Sequence, residues 1–250
     1  LKLKKAGSPT VSEQLDFLIG NLPNLLFGFP GQRPGGLLLS LLLAVVAIAI
    51  GFLPAMVIAA GRESRYRPLR WLARGYVELF RGIPLILLLL LVYQIIGGSH
   101  FGLNLSPRMS AVVTLALYSS AYQTEILRAG LKAVPSQLVD SARLMGSSPW
   151  QLYRLIRLRY AFRVMLPAFT GQAISLFKDT SVVIIIGVAE LMTVARAVLG
   201  SDIRNTPYWV SLYILVGGLY FTLAFSLSLI ARRWERGRQS GDLVHSLANY

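Results

Sequence analysis

The sequence predicts an all-α membrane protein, and three observations predict it. Hydrophobic residues make up 54% of the 250 and charged residues only 14%, outside the balance of soluble globular chains. Two stretches, 37–60 and 209–231, carry no charge over 24 and 23 residues. At about 1.5 Å per helical residue, each is long enough to cross roughly 30 Å of hydrocarbon. The lysines and arginines, finally, gather in alternate connecting segments. Cysteine is absent, which excludes disulfides, thiol catalysis and cysteine-held metals, and His100 and His245 are too few for a histidine-rich centre. No catalytic or metal-binding residue is expected.

The elements follow in order. Residues 1–36 form an N-terminal interfacial or external segment. "LKLKK" at its start is basic, but no compact apolar region with a small-residue cleavage site follows, so it does not read as a signal peptide. Residues 11–29 read as an interfacial helix interrupted at Pro23, or as a re-entrant piece. The apolar part, 37–231, opens with span one at 37–60. Residues 83–96 are apolar but short, so the second span is drawn at 75–97, with Glu78 and Arg81 in its first turns and Pro84 as a kink. The third, 111–131, has a polar second half, "YSSAYQTEILRAG", which must meet protein or water. Two apolar stretches between 164 and 195 flank "KDTS" with no turn signal, and predict one long fourth helix. Glu190 near its end is expected at the interface, and His100, in an outer loop, in solvent. The fifth span, 209–231, is opened by Tyr208 and Trp209 and closed by "RRWER", leaving a tail at 232–250. No internal repeat is evident.

Loop charges set the expected orientation. Segment 61–75 holds Arg62, Arg65, Arg67, Arg70 and Arg74, segment 128–163 holds seven basic residues and the tail four, together 16 of the 25. The intervening loops hold only Arg108, then Arg196 and Arg204. Five spans require such alternation. The basic loops and the C-terminus are therefore expected in the cytoplasm and the N-terminus outside, although Lys2, Lys4 and Lys5 argue mildly against the latter. This placement accounts for most of the net charge of +14 without nucleic acid.

The longest cytoplasmic loop, 132–163, has structure of its own. Ser136 is read as the cap of a helix whose apolar positions Leu138, Val139, Ala142 and Met145 form one stripe, with Gln137, Asp140 and Arg143 turned elsewhere. Gly146 ends it. Ser148, Pro149 and Gln151 then spell a capping box, with proline at the first helical position, and a second helix begins. The result is two helices around a glycine hinge, with one side against the membrane and polar groups facing the cytoplasm. Such a shape suits a soluble partner, but pattern alone equally allows an ordered connecting loop.

The run from Asp140 through Ser141, Ala142 and Gly146 to Ile156 and Leu158 resembles the cytoplasmic E-A-A…G…I-x-L-P loop of permease subunits of ATP-binding-cassette importers. Asp140 stands for the glutamate and Arg159 for the proline. "VELFRGIPL" (77–85), "AYQTEILRAGLKAVPSQ" (121–137), "LFKDTSV" (176–182) and "IGVAEL" (186–191) resemble the polar amino acid branch of that family. The resemblance implies a type I importer transmembrane fold and a coupling helix, Gln137, Asp140, Ser141, Ala142, Arg143 and Gly146 among its residues, seated in a groove of a cytoplasmic ATPase. It implies a second permease subunit, identical or similar, two cytoplasmic ATP-binding subunits, an extracytoplasmic amino-acid-binding protein, and an amino acid as substrate in the bacterial inner membrane. The chain itself would be no enzyme and hold no cofactor, ATP and magnesium lying on the partners; it has no G-x-x-x-x-G-K-[ST] loop.

Charges within the spans need partners. Lys178 and Asp179 are neighbours about 100° apart on a helix and do not simply satisfy each other. They read as a polar pathway in which an ammonium takes a carboxylate and Asp179, Thr180 and Ser181 supply acceptors and hydroxyls, or as a structural network pinning the helix. Tyr122 and Gln123 are placed along the same pathway, with aromatic packing as the duller account of Tyr122. Glu78 with Arg81, and Glu125 with Arg128, are spaced i, i+3 and read as structural pairs. Two other functions share some of these features: an ion-coupled secondary amino acid transporter, and a membrane docking subunit that moves no solute.

Overall fold

The computed structural model describes residues 9–31, 33–98 and 103–247, with 234–247 described by backbone alone. Among the described residues every regular element is helical. The expectations for His100 and for Lys2, Lys4 and Lys5 fall outside these residues.

Helix α1, Val11–Phe27, starts at a capping box in which the Thr10 amide donates to the Glu13 carboxylate at 2.8 Å. It runs through Pro23 rather than breaking there. Burial explains why: Leu25 is fully enclosed and Phe17 stacks on Tyr208 at 4.4 Å, so packing against the last third of the chain holds the helix together across the missing amide. This segment packs into the folded body.

Helix α2, Gly36–Arg62, is followed by α3, Arg67–Gly82, and α4, Leu85–Leu91, which continues through a wider π turn, Val92–Ile96. The second expected span is thus two helices bent by 107°. Pro84 disfavours helical backbone at the residue before it, and Ile83 accordingly sits at φ −83° and ψ 131°.

Helix α5, Pro107–Lys132, lies between α2 and α8. Its small polar residues are hidden among helices: Ser110, Thr114, Ser119, Ser120 and Thr124 are fully buried. Thr114 and Thr124 return their hydroxyls to carbonyls four residues back, at 2.7 and 2.8 Å, which satisfies both hydroxyls inside the helix contact. Small residues permit close approach. A Cβ on Gly51 of α2 would stand 2.7 Å from the Ala116 carbonyl oxygen of α5.

Helix α6, Ser136–Leu144, forms the loop tip. The first turn α7, Pro149–Gln151, a π segment, Leu152–Arg157, helix α8, Leu158–Asp179, and a 3-10 segment, Thr180–Ile186, then run as one helix, Pro149–Ile186. The fourth helix therefore begins inside the expected loop. It also ends earlier than Ala195: Gly187 takes a left-handed φ of +72° and turns the chain into α9, Leu191–Gly200. A 3-10 segment, Ile203–Tyr208, leads into α10, Trp209–Leu247.

The same turn buries Glu190, which was expected at the interface. Its carboxylate caps α9 through the amides of Met192 at 3.0 Å and Thr193 at 2.8 Å, and accepts the Tyr220 hydroxyl at 2.8 Å and that of Ser40 at 3.3 Å. A fully buried acid is tolerated because these four donors and the Thr193 hydroxyl, at 3.1 Å, surround it from three helices. Three stretches, Gly36–Arg62, Pro149–Ile186 and Ile203–Arg233, are long and apolar enough to cross a membrane, and the bent pair Arg67–Gly82 with Leu85–Ile96 makes a fourth if counted as one span.

Candidate functional site

Two regions hold the residues singled out by sequence. In the first, α6 folds back on the start of the long helix over a small core of Val139, Ala142 and Leu152, flanked by Val134 and Ile156. Helix α6 begins one residue earlier than a Ser136 cap requires: Pro135 occupies the cap position and Ser136 the first turn. Its end follows from Gly146, whose φ of +81° lets the Gly146 amide reach the Arg143 carbonyl at 2.9 Å and the Ser147 amide reach that of Ala142 at 3.0 Å. Beyond it the capping box closes on both sides. The Ser148 amide donates to Gln151 Oε1 at 2.9 Å, and the Gln151 amide to Ser148 Oγ at 3.3 Å.

Gln137, Asp140, Ser141, Arg143 and Gly146 are exposed, whereas Ala142 faces the small core. Asp140 and Arg143 approach at 3.5 Å on the surface, a weak pairing that leaves both free for a partner. The expected apolar stripe divides: Val139 and Ala142 are buried, while Leu138 and Met145 are exposed. The tip consists of Leu144, 89% exposed, Met145, 85%, and Trp150, 66%. Sequence periodicity did not mark these three as a group, because they straddle the hinge and belong to no single helix face.

In the second region, α5 presents Tyr118, Tyr122 and Glu125 at i, i+4 and i+7, one face of the helix. The Tyr118 hydroxyl donates to that of Tyr122 at 3.2 Å. Arg81, at the end of α3, lies over the Tyr122 ring, 5.1 Å from its centre. No ion pair joins Arg81 to Glu78 among the described residues, so that expected pairing gives way to the aromatic contact. Glu125 is held by Arg128 through contacts of 2.7 and 3.0 Å and by Arg62 of α2 at 2.7 Å. Arg62 is a partner that i, i+3 spacing could not reveal.

Other residues placed on the pathway by sequence point elsewhere. Gln123 is fully buried and donates to the Ile48 carbonyl at 3.1 Å and to Ser119 at 2.8 Å, clamping α5 to α2. Thr180 is buried and returns its hydroxyl to the Phe177 carbonyl at 2.7 Å. Ser181 and Asp179 are half-buried and Lys178 is exposed, where α8 tightens into its 3-10 extension. A lysine in the last turn also lies favourably against the carbonyl end of the helix. The structure thus brings Arg81 onto Tyr122 beside Tyr118, leaves Lys178 and Asp179 at the end of α8, and gives Gln123 and Thr180 to packing.

Residues 47–239 match the family described as binding-protein-dependent transport system inner membrane component. The chain is 33% identical over 225 residues, 88% of its own length and 95% of the other, to the glutamate/aspartate import permease protein GltK of Escherichia coli O157:H7. It is 34% identical over 203 residues to the L-cystine transport system permease protein TcyB of Bacillus subtilis, covering 81% of this chain and 84% of that one. Among solved structures, an amino acid ABC transporter crystallised with histidines superposes with a TM-score of 0.77 at 30% identity, covering 88% of this chain and 96% of that one.

Proposed function

The chain belongs to the family of binding-protein-dependent transport system inner membrane components and is the permease subunit of an ATP-binding-cassette importer, and from that premise we propose how it couples and what it carries. Its function is transport; ATP is hydrolysed on separate subunits in such systems, and a substrate-binding protein delivers the cargo. The proposed cargo is an amino acid, as the names of the relatives suggest. The working assembly is a pair of permease subunits, identical or similar, on two ATP-binding subunits that carry ATP and magnesium. The basic loops and C-terminus lie on the cytoplasmic side and the N-terminus outside.

The observation that carries the coupling is the hinged loop. Gly146 and the Ser148–Gln151 box fix two helix ends, and the small core beneath makes the loop a preformed body with an apolar tip. A preformed element presents Leu144, Met145 and Trp150 to a groove with little ordering cost, while Gln137, Asp140, Ser141 and Arg143 supply a polar rim. On the membrane side, Lys178 and Asp179 with Ser181 and Tyr122 line the route, and alternating access comes from the two permease halves rocking about it.

Reconstitution in proteoliposomes tests the reading. With ATP-binding subunits and binding protein present, ATP inside should drive uptake of one class within an amino acid panel. Uptake driven by a proton or sodium gradient with the ATP-binding subunits left out would replace it with the ion-coupled alternative.

A further inference from the structure

Ser119 and Gln123 stand one turn apart on α5, on a face about 100° from that of Tyr118 and Tyr122. Ser119 Oγ accepts the side-chain amide of Gln123 at 2.8 Å and that of Gln172, from α8, at 3.0 Å. Gln123 gives its other N–H to the Ile48 carbonyl of α2 at 3.1 Å, so three helices meet at this node. Ser119 and Gln123 are fully buried. The amide nitrogens are provided for and the amide oxygens are not: Oε1 of Gln123 and Oε1 of Gln172 are both shut away from solvent, and neither receives a donor among the described residues.

Turning the amides over does not mend this. The Ile48 carbonyl can be served only by the N–H side of Gln123, and turning Gln172 hands its oxygen to the Ser119 hydroxyl but strands its N–H groups instead. The node therefore wants two donors, one for each oxygen, and one acceptor, for the proton that Ser119 still has to give. Water supplies that set, and a buried water is held by about two to four polar partners. The location adds a consequence. Pro167 removes a rung from the hydrogen-bond ladder of α8, and Gly171 has nothing within 4 Å of where its side chain would begin, so the helix is least braced just before Gln172.

We propose that Ser119, Gln123 and Gln172 bind one ordered water, which donates to the two amide oxygens and accepts the Ser119 proton, and that this water is the exchangeable contact seating α8 on α5 beyond Pro167. A direct bond between two helices breaks when one shifts, whereas a bridging water re-forms its bonds within the same site. The water itself stands apart from the importer reading; its part in transport rests on that reading.

The test is a density map of the chain assembled with its ATP-binding subunits in nanodiscs, at a resolution that shows ordered waters. The expected result is a water peak about 2.5–3.0 Å from both amide oxygens and from Ser119 Oγ. In Q172M, which keeps the bulk of the side chain without its polar atoms, the peak should vanish and amino acid uptake per ATP hydrolysed should fall about threefold or more. S119A serves in its place if Q172M does not assemble. A map of the unaltered complex that shows other buried waters but none here overturns the proposal, as does a peak that persists unchanged in the variant. Unaltered uptake per ATP in a variant that has lost the peak overturns the seating role. Absence of ATP-driven amino acid uptake by the unaltered complex is a separate result: it removes the importer reading and leaves the water to be decided by the map.

Discussion

Arg62 and Glu125, at matching ends of α2 and α5, meet at 2.7 Å with side chains 12% and 20% exposed. Lys132 and Glu63 bridge the same two helices at 3.4 Å one step farther out. The chain therefore leaves α2 and α5 on the same side of the pair.

Replacing Glu125 leaves Arg62 and Arg128 facing each other, half-desolvated, with no carboxylate between them. E125Q should cost about 3 kcal/mol and lower the midpoint of thermal unfolding in detergent. A double-mutant cycle with R62Q checks the assignment, since the second substitution should add little once the first is in place.

At Gly146 there is open space for a methyl group, so the penalty of a side chain is conformational only. G146A should cost about 1–2 kcal/mol locally by disfavouring the left-handed backbone. G146V should reduce capture of the ATP-binding subunits in co-purification while the membrane helices keep their thermal stability. Normal capture by G146V would remove the hinge from the coupling account.

Gly51 of α2 lies against Ala116 and Ser120 of α5. G51V must push a branched side chain into the Ala116 carbonyl and the Ser120 amide, which are 2.7 and 3.3 Å from the first added carbon. The helices have to separate, and a loss of about 3 kcal/mol is expected, read as reduced yield and earlier thermal aggregation.

Glu190 joins α2, α9 and α10 through one carboxylate. E190A removes a helix cap and strands the Tyr220 and Ser40 hydroxyls, for a loss of about 2–4 kcal/mol. Y220F removes one donor at 2.8 Å and should cost about 1 kcal/mol. A Y220F effect as large as that of E190A would mean the hydroxyl, not the carboxylate, organises the joint.

Asp202 tests acid sensitivity. Hydrogen bonds from the Arg204 guanidinium and amide hold its carboxyl below the ordinary aspartate range. Because the folded value is depressed, the contribution to local order is complete above about pH 4 and disappears as pH falls through the lowered value. Amide exchange across 202–208 should rise only in that acidic window, and D202N should abolish the dependence.

Local rules explain what could be read from the chain. The Ser148–Gln151 box and the Gly146 stop depend on a few consecutive residues, and both appear where spacing puts them. The same box rule would have found Thr10 and Glu13. Spacing at i, i+3 permits contact without requiring it: Arg128 takes Glu125, but Arg81 leaves Glu78 because the Tyr122 ring of another helix stands within reach. Arg62, the burial of Glu190 and the turn at Gly187 all arise from segments distant in sequence, and "IGVAEL" offers only a lone glycine to announce them. The polar half of α5 was legible as needing protein contact, yet which of its residues face α2 and which meet Arg81 depended on a helix crossing that no window contains.

One continuous rod, Pro149–Ile186, carries Trp150 at one end and Lys178 with Asp179 near the other. About 28 residues, or about 42 Å of helix, separate the tip from the charged pair. A push or twist delivered at the tip needs no relay of side chains to be felt at the charges, because covalent backbone spans the distance. Its wider turns at 152–157 are the place where such a stroke would be absorbed if the rod were to yield.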